Sequence, residues 1–450
     1  MRVVIVGAGP AGATLATMLA EGGIEAVLFD LGQRPALTVG ESLVPALVPV
    51  LRRLGVEGQV AELGTLKPGV SFRWSEDDVL RFSFESVAHC LPPYAYNVSR
   101  DLYDRVLLER ARRAGVRIVT ARAILEKTPN EGVGPASKTP TPEIRLSQGC
   151  LDAYCDGAPP DLIVDATGRS RLVTRLLGIS AQRGPRNDAA YFAHFTGCRW
   201  TEAPGQVVIN RLASGWSWRI PLRDRLSVGV VLPRDAAAVF GANPEERLDG
   251  VLRSDPELRE ETAAAVRVSS VAAYSNYQLV TSRGYGPGWV AIGDAFGFVD
   301  PMLSPGVFVA QRSAEILADR LLAALRPSVA TERGLSQPIV AGCELYAQEM
   351  TQLLAAWREL IESFYDGSMF ALYRAGRGMV AEWPGLLARR LQDHIERNVA
   401  EMATGGATTS RYSRGLLRLL RRYGLRGHDP LRFAIGTPPG TTGRGRLVTS

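Results

Sequence analysis

The sequence predicts an α/β chain with a Rossmann-like nucleotide-binding domain, an inserted β-rich domain and a helical C-terminal region. Three observations lead there. The apolar run Val3–Val6 is followed at once by the turn Gly7-Ala8-Gly9-Pro10-Ala11-Gly12, a helix pattern over Ala13–Ala20, and a second apolar run, Ala26–Phe29, closed by Asp30. Between Asn187 and Leu279 lie repeated strand patterns (Tyr191–Phe195, Gln206–Asn210, Trp216–Ile220, Leu226–Leu232), interrupted by a helix pattern at Asn243–Arg253. From Gln337 on the periodicity is helical, with amphipathic segments at Tyr346–Tyr365 and Leu386–Glu401. The expected division is a nucleotide domain of 1–60, 97–185 and 286–330, a sheet domain of 61–96 and 186–285, a helical region of 331–435 and a loose tail of 436–450.

Composition sets the bounds. A chain of 450 residues, 46% apolar and 22% charged, is ordinary for a globular protein of two or three domains. The net charge of +6 permits an acidic partner without demanding one, and no nucleic-acid partner is expected. Cys90, Cys150, Cys155, Cys198 and Cys343 form no metal-binding pattern, and their odd number argues against a disulfide framework. Reduced thiols in a cytoplasm fit best. Gly7, Gly9, Pro10 and Gly12 interrupt the apolar N-terminus, so neither an export signal nor a membrane span is expected.

Taken in order, the first unit is βαβ. Its glycines allow a tight turn and the close approach of a pyrophosphate, and Asp30 stands where a ribose-binding acid belongs. By itself this unit does not separate FAD from NAD. The stretch Gly288–Ala310 does. Trp289–Ile292 reads as a buried strand with Gly293-Asp294 directly after it. A carboxylate there can accept hydrogen bonds from the ribityl chain of a flavin, which a nicotinamide cofactor lacks. Asp300-Pro301 then leads through Ser304-Pro305-Gly306 into an apolar helix pattern from Val307. A Pro-Gly loop feeding a helix leaves N–H groups without helical partners, a setting for an anion or an electron-rich ring edge. Val164–Gly168 reads as a further strand ending beside the cofactor. Arg100 opens the helix pattern Ser99–Val116, and either reaches a flavin phosphate or ribityl oxygen or lies on the surface.

GAGPAG, the later GD, VDATG and SRDLYDRVLLERA resemble glutathione-reductase-type flavoproteins of the aromatic-hydroxylase superfamily. GESLVP (Gly40–Pro45), GTLKPGVSFRW (Gly64–Trp74), GWSWRIP (Gly215–Pro221) and DPMLSPGV (Asp300–Val307) resemble the flavin-dependent halogenases, and Trp216–Pro221 matches that family's W-x-W-x-I-P box at every fixed position. The resemblance covers Arg2–Leu325, in pieces. It implies FAD, used as FADH2, held by Gly7, Gly9, Ala11, Gly12, Asp30, Glu41, Ser42, Arg100, Gly293, Asp294, Pro301 and Gly306. It implies a halide ion, chloride or bromide, at Ser304, Gly306 and Val307, and a catalytic lysine at Lys67. Phe308 stands where the family often has His. No second G-x-G-x-x-G follows a strand, so a separate NAD(P)H-dependent flavin reductase is expected to supply FADH2. The substrate would be an electron-rich phenol, pyrrole or indole, free or bound to a carrier protein. The family's free-tryptophan enzymes are usually longer, which favours the first two.

The implied chemistry assigns roles. Reduced flavin and oxygen give a flavin peroxide, and a halide beside it is oxidised to hypohalous acid. A lysine can hold that oxidant by a hydrogen bond, or as a haloamine, and aim it at an aromatic carbon. Lys67 lies between Leu66 and Pro68 with Phe72 and Trp74 close behind, in a chain whose only other lysines are Lys127 and Lys138. The plain alternative is a surface lysine in a turn. Trp216 and Trp218 alternate with Ser217 and Arg219, so both indoles face one side of a strand. They serve as a catalytic wall between flavin and substrate, as core, or as both.

Other readings carry less chemistry. His89 and His194 read as core or surface residues. Pro129–Pro160 reads as a hairpin with long loops. Arg411, Arg414, Arg418, Arg421, Arg422 and Arg426 form a solvated helix face, a dock for an acidic partner or, less well, a membrane surface. The rival functions are an FAD monooxygenase, a geranylgeranyl-reductase-like oxidoreductase, and a flavin-binding protein without turnover.

Overall fold

The computed structural model of the protein describes residues 1–75, 78–87, 90–128, 143–275, 278–325, 336–382 and 385–436. One layer is a six-stranded sheet in the order Tyr285–Gly286, Trp289–Ala291, Leu162–Asp165, Arg2–Val6, Glu25–Phe29, Arg117–Val119. Neighbours run parallel except at the Tyr285–Gly286 edge. Val3, Val4, Ile5, Val27 and Leu28 are fully buried, as unbroken apolar strands are when a parallel sheet is covered on both faces. The first helix, Pro10–Glu21, begins before the periodic stretch does, because Pro10 occupies the first turn, where its missing N–H is no loss. It packs against the helices Arg100–Arg113 and Gly306–Ala324.

The second layer is an eight-stranded sheet. Its path runs Val266–Arg267, Asp188–Thr196, Leu226–Pro233, Gly215–Pro221, Val207–Leu212, Gly69–Arg73, Val79–Ser83, with Ala272–Ser275 also paired to Asp188–Thr196. It is antiparallel except where Val207–Leu212 meets Gly69–Arg73. Period-two alternation divides it between two cores. Ala190, Phe192, Ile209, Trp216, Trp218 and Ile220 join the main core. Ala189, Tyr191, Ala193, Phe195, Val228 and Val230 face the other way, onto Leu248, Val251 and Leu252 of the helix Pro244–Ser254 and onto Leu258. Both faces of the central strands are covered, so Asp188–Thr196, Val207–Leu212, Gly215–Pro221 and Leu226–Pro233 are buried along nearly their whole length, while the edge strands Val79–Ser83 and Val266–Arg267 are largely open.

The C-terminal helices are Ser336–Tyr365, Ser368–Glu382, Leu386–Ala403 and Arg411–Leu419. The first packs on Gly306–Ala324, and its Tyr346 hydroxyl donates to the Ala291 carbonyl at 3.0 Å. Among the described residues no helix is long and apolar enough to cross a membrane.

Two expectations need correcting. The hairpin pairs Leu125–Lys127 with Ile144–Leu146, but Gln148–Tyr154 is a helix rather than loop. The Ser147 hydroxyl accepts from the Cys150 amide and caps it, while Cys150 and Leu151 are buried. Residues 129–142, His89 and the tail beyond Gly436 lie outside the described residues. The arginine-rich segment is not simply a solvated face. Arg414 and Arg418 both bind Glu359 of the long helix, and Arg421 binds Asp366.

That anchorage is testable. Burial pushes the Glu359 carboxyl upward, but hydrogen bonds from Arg418 and Arg414 outweigh it and hold the group below its ordinary value. Its contribution to stability is therefore present at neutral pH and is lost as pH falls through that lowered value. Glu359→Gln is expected to lose about 1.5–3 kcal/mol in a neutral urea titration, and little in acid. An unchanged midpoint at neutral pH would show that the pairs contribute nothing to the fold.

Candidate active site

Three backbone turns meet at the C-terminal edge of the six-stranded sheet. A Cβ added to Gly7, whose φ is +110°, would sit 2.4 Å from the Ala166 carbonyl oxygen, and one on Gly12 would sit 1.9 Å from the Gly7 oxygen. Gly293, with φ +55°, lies against Ala11, and its amide donates to the Ser313 hydroxyl at 2.9 Å. These contacts exclude side chains where the turns touch. At Gly9 an added Cβ would meet nothing within 4 Å. Gly9 borders a cavity of about 700 Å³ that runs from the turns to the eight-stranded sheet.

The cavity gathers most of the expected residues. Gly7, Gly9, Ala11, Asp30, Glu41, Ser42, Arg100, Trp216, Trp218, Asp294, Pro301, Ser304, Gly306 and Val307 all line it. Gly12, Gly293 and Lys67 do not: the glycines lie within the packed turns, and Lys67 lies behind Ser42. Phe192, Ile209 and Tyr274 also line the cavity and went unrecognised in the sequence.

The Asp294 carboxylate is half-buried and lines the cavity, and it accepts no hydrogen bond from the described residues. Burial pushes it up to about 6, against the pull of Arg100 and Arg169. Arg100 is a wall residue locked in place. Its guanidinium binds Asp104 through Nε at 2.9 Å and Nη2 at 3.1 Å, and donates to the Val39 carbonyl at 2.7 Å. Asp30 accepts from the Gly32 amide at 3.2 Å and from Arg34 at 3.1 Å. An unsatisfied acceptor facing a long cavity, with glycine turns that leave no Cβ at the helix start, suits an extended dinucleotide with a polyhydroxyl segment. The residues present therefore fit FAD.

The loop after Asp294 is held under strain. Leu303 and Ser304 adopt left-handed φ values of 67° and 58°, which non-glycine residues hold only where their surroundings dictate it. Asp300, 1% exposed, accepts from the Met302 amide at 3.0 Å, and the Ser304 amide donates to the Pro301 carbonyl at 3.0 Å. The helix begins at Gly306, so the amides of its first turn have no helical acceptors. Gly306 and Val307 bring that turn to the cavity wall.

On the opposite wall the Trp216 and Trp218 rings lie 5.8 Å apart. Gly229, on the neighbouring strand, makes room for the Trp218 ring, since a Cβ there would sit 2.2 Å from it. Lys67 ends the short strand Thr65–Lys67, which pairs with Ala95–Asn97. Its Nζ donates to the Ser42 hydroxyl at 2.8 Å and to the Leu43 carbonyl at 2.9 Å, with the Phe84 ring 5.3 Å away. Burial pushes the ammonium down to about 7, which rules out an ordinary surface lysine in a turn. His194 is a core residue, but one whose Nε2 meets Glu41 Oε1 at 2.8 Å. Glu41 lines the cavity. Nothing in the local sequence of either residue announces the pair.

The chain matches two family models: residues 1–144 fit "FAD binding domain" and residues 86–368 fit "Tryptophan halogenase". It is 26% identical over 373 residues to a tryptophan 2-halogenase of Chondromyces crocatus, covering 81% of this chain and 68% of that protein. It is 28% identical over 352 residues to a 1H-pyrrole-2-carbonyl-(peptidyl-carrier protein) chlorinase of Pseudomonas fluorescens, covering 72% and 76%. The myxobacterial chondrochloren halogenase CndH, an FAD-dependent halogenase, superposes with a TM-score of 0.67 at 26% identity, covering 81% of this chain and 82% of that one. The flavin-dependent brominase Bmp2 shares the fold, with a TM-score of 0.71 at 21% identity and coverage of 95% and 100%. With more than half of its length matching the family model, the chain belongs to the tryptophan halogenase family, FAD-dependent enzymes of oxidoreductase type that act with chloride or bromide.

Proposed function

We propose that the protein halogenates an electron-rich aromatic ring, a phenol, pyrrole or indole, using FADH2, dioxygen and chloride or bromide. The observation that carries this reading is that one cavity is shared: the nucleotide turns border one part of it, and the Ser304–Val307 helix start and two indoles border another. The similarity to the pyrrole-carrier-protein chlorinase supports a pyrrole, free or carrier-bound, and that to the tryptophan 2-halogenase supports an indole.

Reduced FAD, when bound, supplies the capacity to activate dioxygen; the chain's residues hold, orient and contain. Gly7 and Gly12 close the turn, and Gly9 and Ala11 border the space that the pyrophosphate would take at the N-terminus of the first helix. Asp30 takes the ribose, Asp294 the ribityl hydroxyls, and Gly293 lets that turn close on Ala11. Arg100, Glu41, Ser42 and Pro301 flank the cofactor. Ser304 and the amides of Gly306 and Val307 hold the halide, an anion against unpaired N–H groups. Trp216 and Trp218 keep the organic ring away from the flavin, so that halide rather than carbon is oxidised. Hypohalous acid is then retained by Lys67, which reaches the cavity through Ser42. An amine that titrates near neutrality offers both a cationic donor and a neutral nucleophile, and a fixed one supplies orientation that free oxidant lacks. A separate cytoplasmic NAD(P)H-dependent flavin reductase delivers FADH2.

Asp294→Ala is expected to weaken FAD binding in a fluorescence titration by about 1.5–3 kcal/mol, roughly 10- to 150-fold. In the unaltered protein FAD affinity should fall as pH drops through about 6, where the carboxyl takes up its proton, and Asp294→Ala should lose that dependence. Equal affinities would move the ribityl contact elsewhere.

NADPH alone should leave bound flavin oxidised, because no second dinucleotide turn is present in the sequence. Bleaching of the flavin band without an added reductase would replace the partner reading with a self-contained one.

Lys67→Ala and Lys67→Arg should both lower halogenated product about a hundredfold or more, measured by the bromine isotope pair in mass spectra of an aromatic substrate panel. Oxygen consumption by FADH2 should persist. Product at the original rate and ring position would leave Lys67 a buried structural lysine.

A further inference from the structure

The long C-terminal helix Ser336–Tyr365 ends inside the protein. Its last residue, Tyr365, is 7% exposed, and its hydroxyl joins two walls of the cavity. It accepts from Trp216 Nε1 at 3.0 Å and donates to Asp300 Oδ1 at 2.9 Å. Trp216 belongs to the sheet wall, while Asp300 opens the loop that carries Pro301, Ser304 and Gly306 to the cavity. Tyr365 itself does not line the cavity.

The chemistry of this position is narrow. An indole N–H only donates and an ionised carboxylate only accepts, so the group between them must do both, as a hydroxyl does. Asp300 is spoken for on every side. Besides Tyr365 it accepts from the Met302 amide at 3.0 Å and from Gln278 Nε2 at 3.0 Å. The Met302 bond places the carboxylate next to the strained pair Leu303 and Ser304, with φ of 67° and 58°. Such residues cost about 1–3 kcal/mol each and persist only when neighbours over-determine them. The Tyr365 ring is fixed in turn. The Arg186 guanidinium lies 3.8 Å from its centroid, held by an ion pair with Asp188 at 2.6 Å. The Tyr365 carbonyl accepts from the Ile435 amide at 2.9 Å.

We propose that Tyr365 is a positioning residue of the active site: its hydroxyl ties the Trp216 indole to the Asp300–Gly306 loop and thereby sets the halide-holding conformation of that loop. The C-terminal helical region is then part of the catalytic apparatus, although none of its described residues borders the cavity. The proposal rests on the assignment of the halide to Ser304–Val307 made above.

The test is halide binding without turnover. Bromide is titrated into the FAD-loaded protein and followed by the flavin absorbance. Tyr365→Phe keeps the ring beneath Arg186 and removes only the hydroxyl. The expected result is a bromide Kd at least tenfold higher, with FAD Kd within about twofold and the unfolding transition still cooperative. Trp216→Phe, which removes the donor at the other end, should also weaken bromide, and the double variant should be no weaker than the worse single, because both changes cut one relay. The cycle also separates positioning from a generally weakened fold, which would lower FAD affinity alongside and add across the two sites. A Tyr365→Phe protein that binds bromide like the unaltered one, or effects that simply add, would overturn the proposal and leave the halide assignment standing. No bromide response in the unaltered protein would remove the halide assignment, and the proposal with it. Should Tyr365→Phe not fold, an unchanged bromide Kd in Trp216→Phe would overturn the relay by itself.

Discussion

The structure depends on the close approach of three backbone turns, Gly7–Gly12, Ala166–Gly168 and Gly293–Asp294. Gly7 meets the Ala166 carbonyl at a distance no Cβ could share, and Gly12 meets the Gly7 carbonyl more tightly still. Strands Arg2–Val6, Leu162–Asp165 and Trp289–Ala291 are adjacent in the sheet, so the three turns must leave it side by side. With side chains excluded at the contacts, the first turn offers only backbone and small apolar groups to the cavity, while the other two add one polar side chain each, Thr167 and Asp294. Everything that follows in the chain, from the Asp300 loop to the helix Gly306–Ala324, is aimed by that junction.

Around the cavity the protein buries ionisable groups that would ordinarily avoid it. Lys67, Asp294 and Asp300 are each shifted toward neutrality, chiefly by burial. They differ in what surrounds them. Asp300 is fully committed to Tyr365, Gln278 and the Met302 amide, and works as a structural knot. Lys67 has two partners, Ser42 and Leu43. Asp294 has none among the described residues, and its free acceptor faces the cavity. A half-buried carboxylate without a partner gains from an added donor, which leaves Asp294 open to a ligand. These distinctions separate groups that hold the fold from groups held ready for chemistry.

The eight-stranded sheet solves a different problem. Its Trp strand, Gly215–Pro221, presents indoles to the cavity on one face and the buried Arg219 on the other. Arg219 is 1% exposed and pairs with Glu261 at 3.0 Å and Glu257 at 3.3 Å. A one-residue slip would put that guanidinium into the cavity and the indoles against two carboxylates. The buried ion pairs thus specify the register that keeps Trp216 and Trp218 on the wall, whatever their net effect on stability.

The sequence by itself determined the local grammar. Strand, glycine turn, helix, strand and acid gave the nucleotide unit, the period-two alternation put both indoles on one face, and the Pro-Gly loop marked a helix start. Each of these is legible because cause and effect lie within a few residues of chain: a missing Cβ, a side-chain period, a missing N–H. Only the tertiary structure decided which distant groups became partners. Glu41 and His194, Trp216 with Tyr365 and Asp300, and Glu359 with Arg414 and Arg418 are joined across long stretches of chain, and no spacing rule connects them. The same holds for Lys67. Its neighbours in sequence suggested a buried site, but its hydrogen bonds to Ser42 and Leu43, and the burial that shifts its proton affinity, come from strands brought together by the sheet pairing. Hydrogen bonds and desolvation depend on distance in space, and that distance is set by how the layers pack.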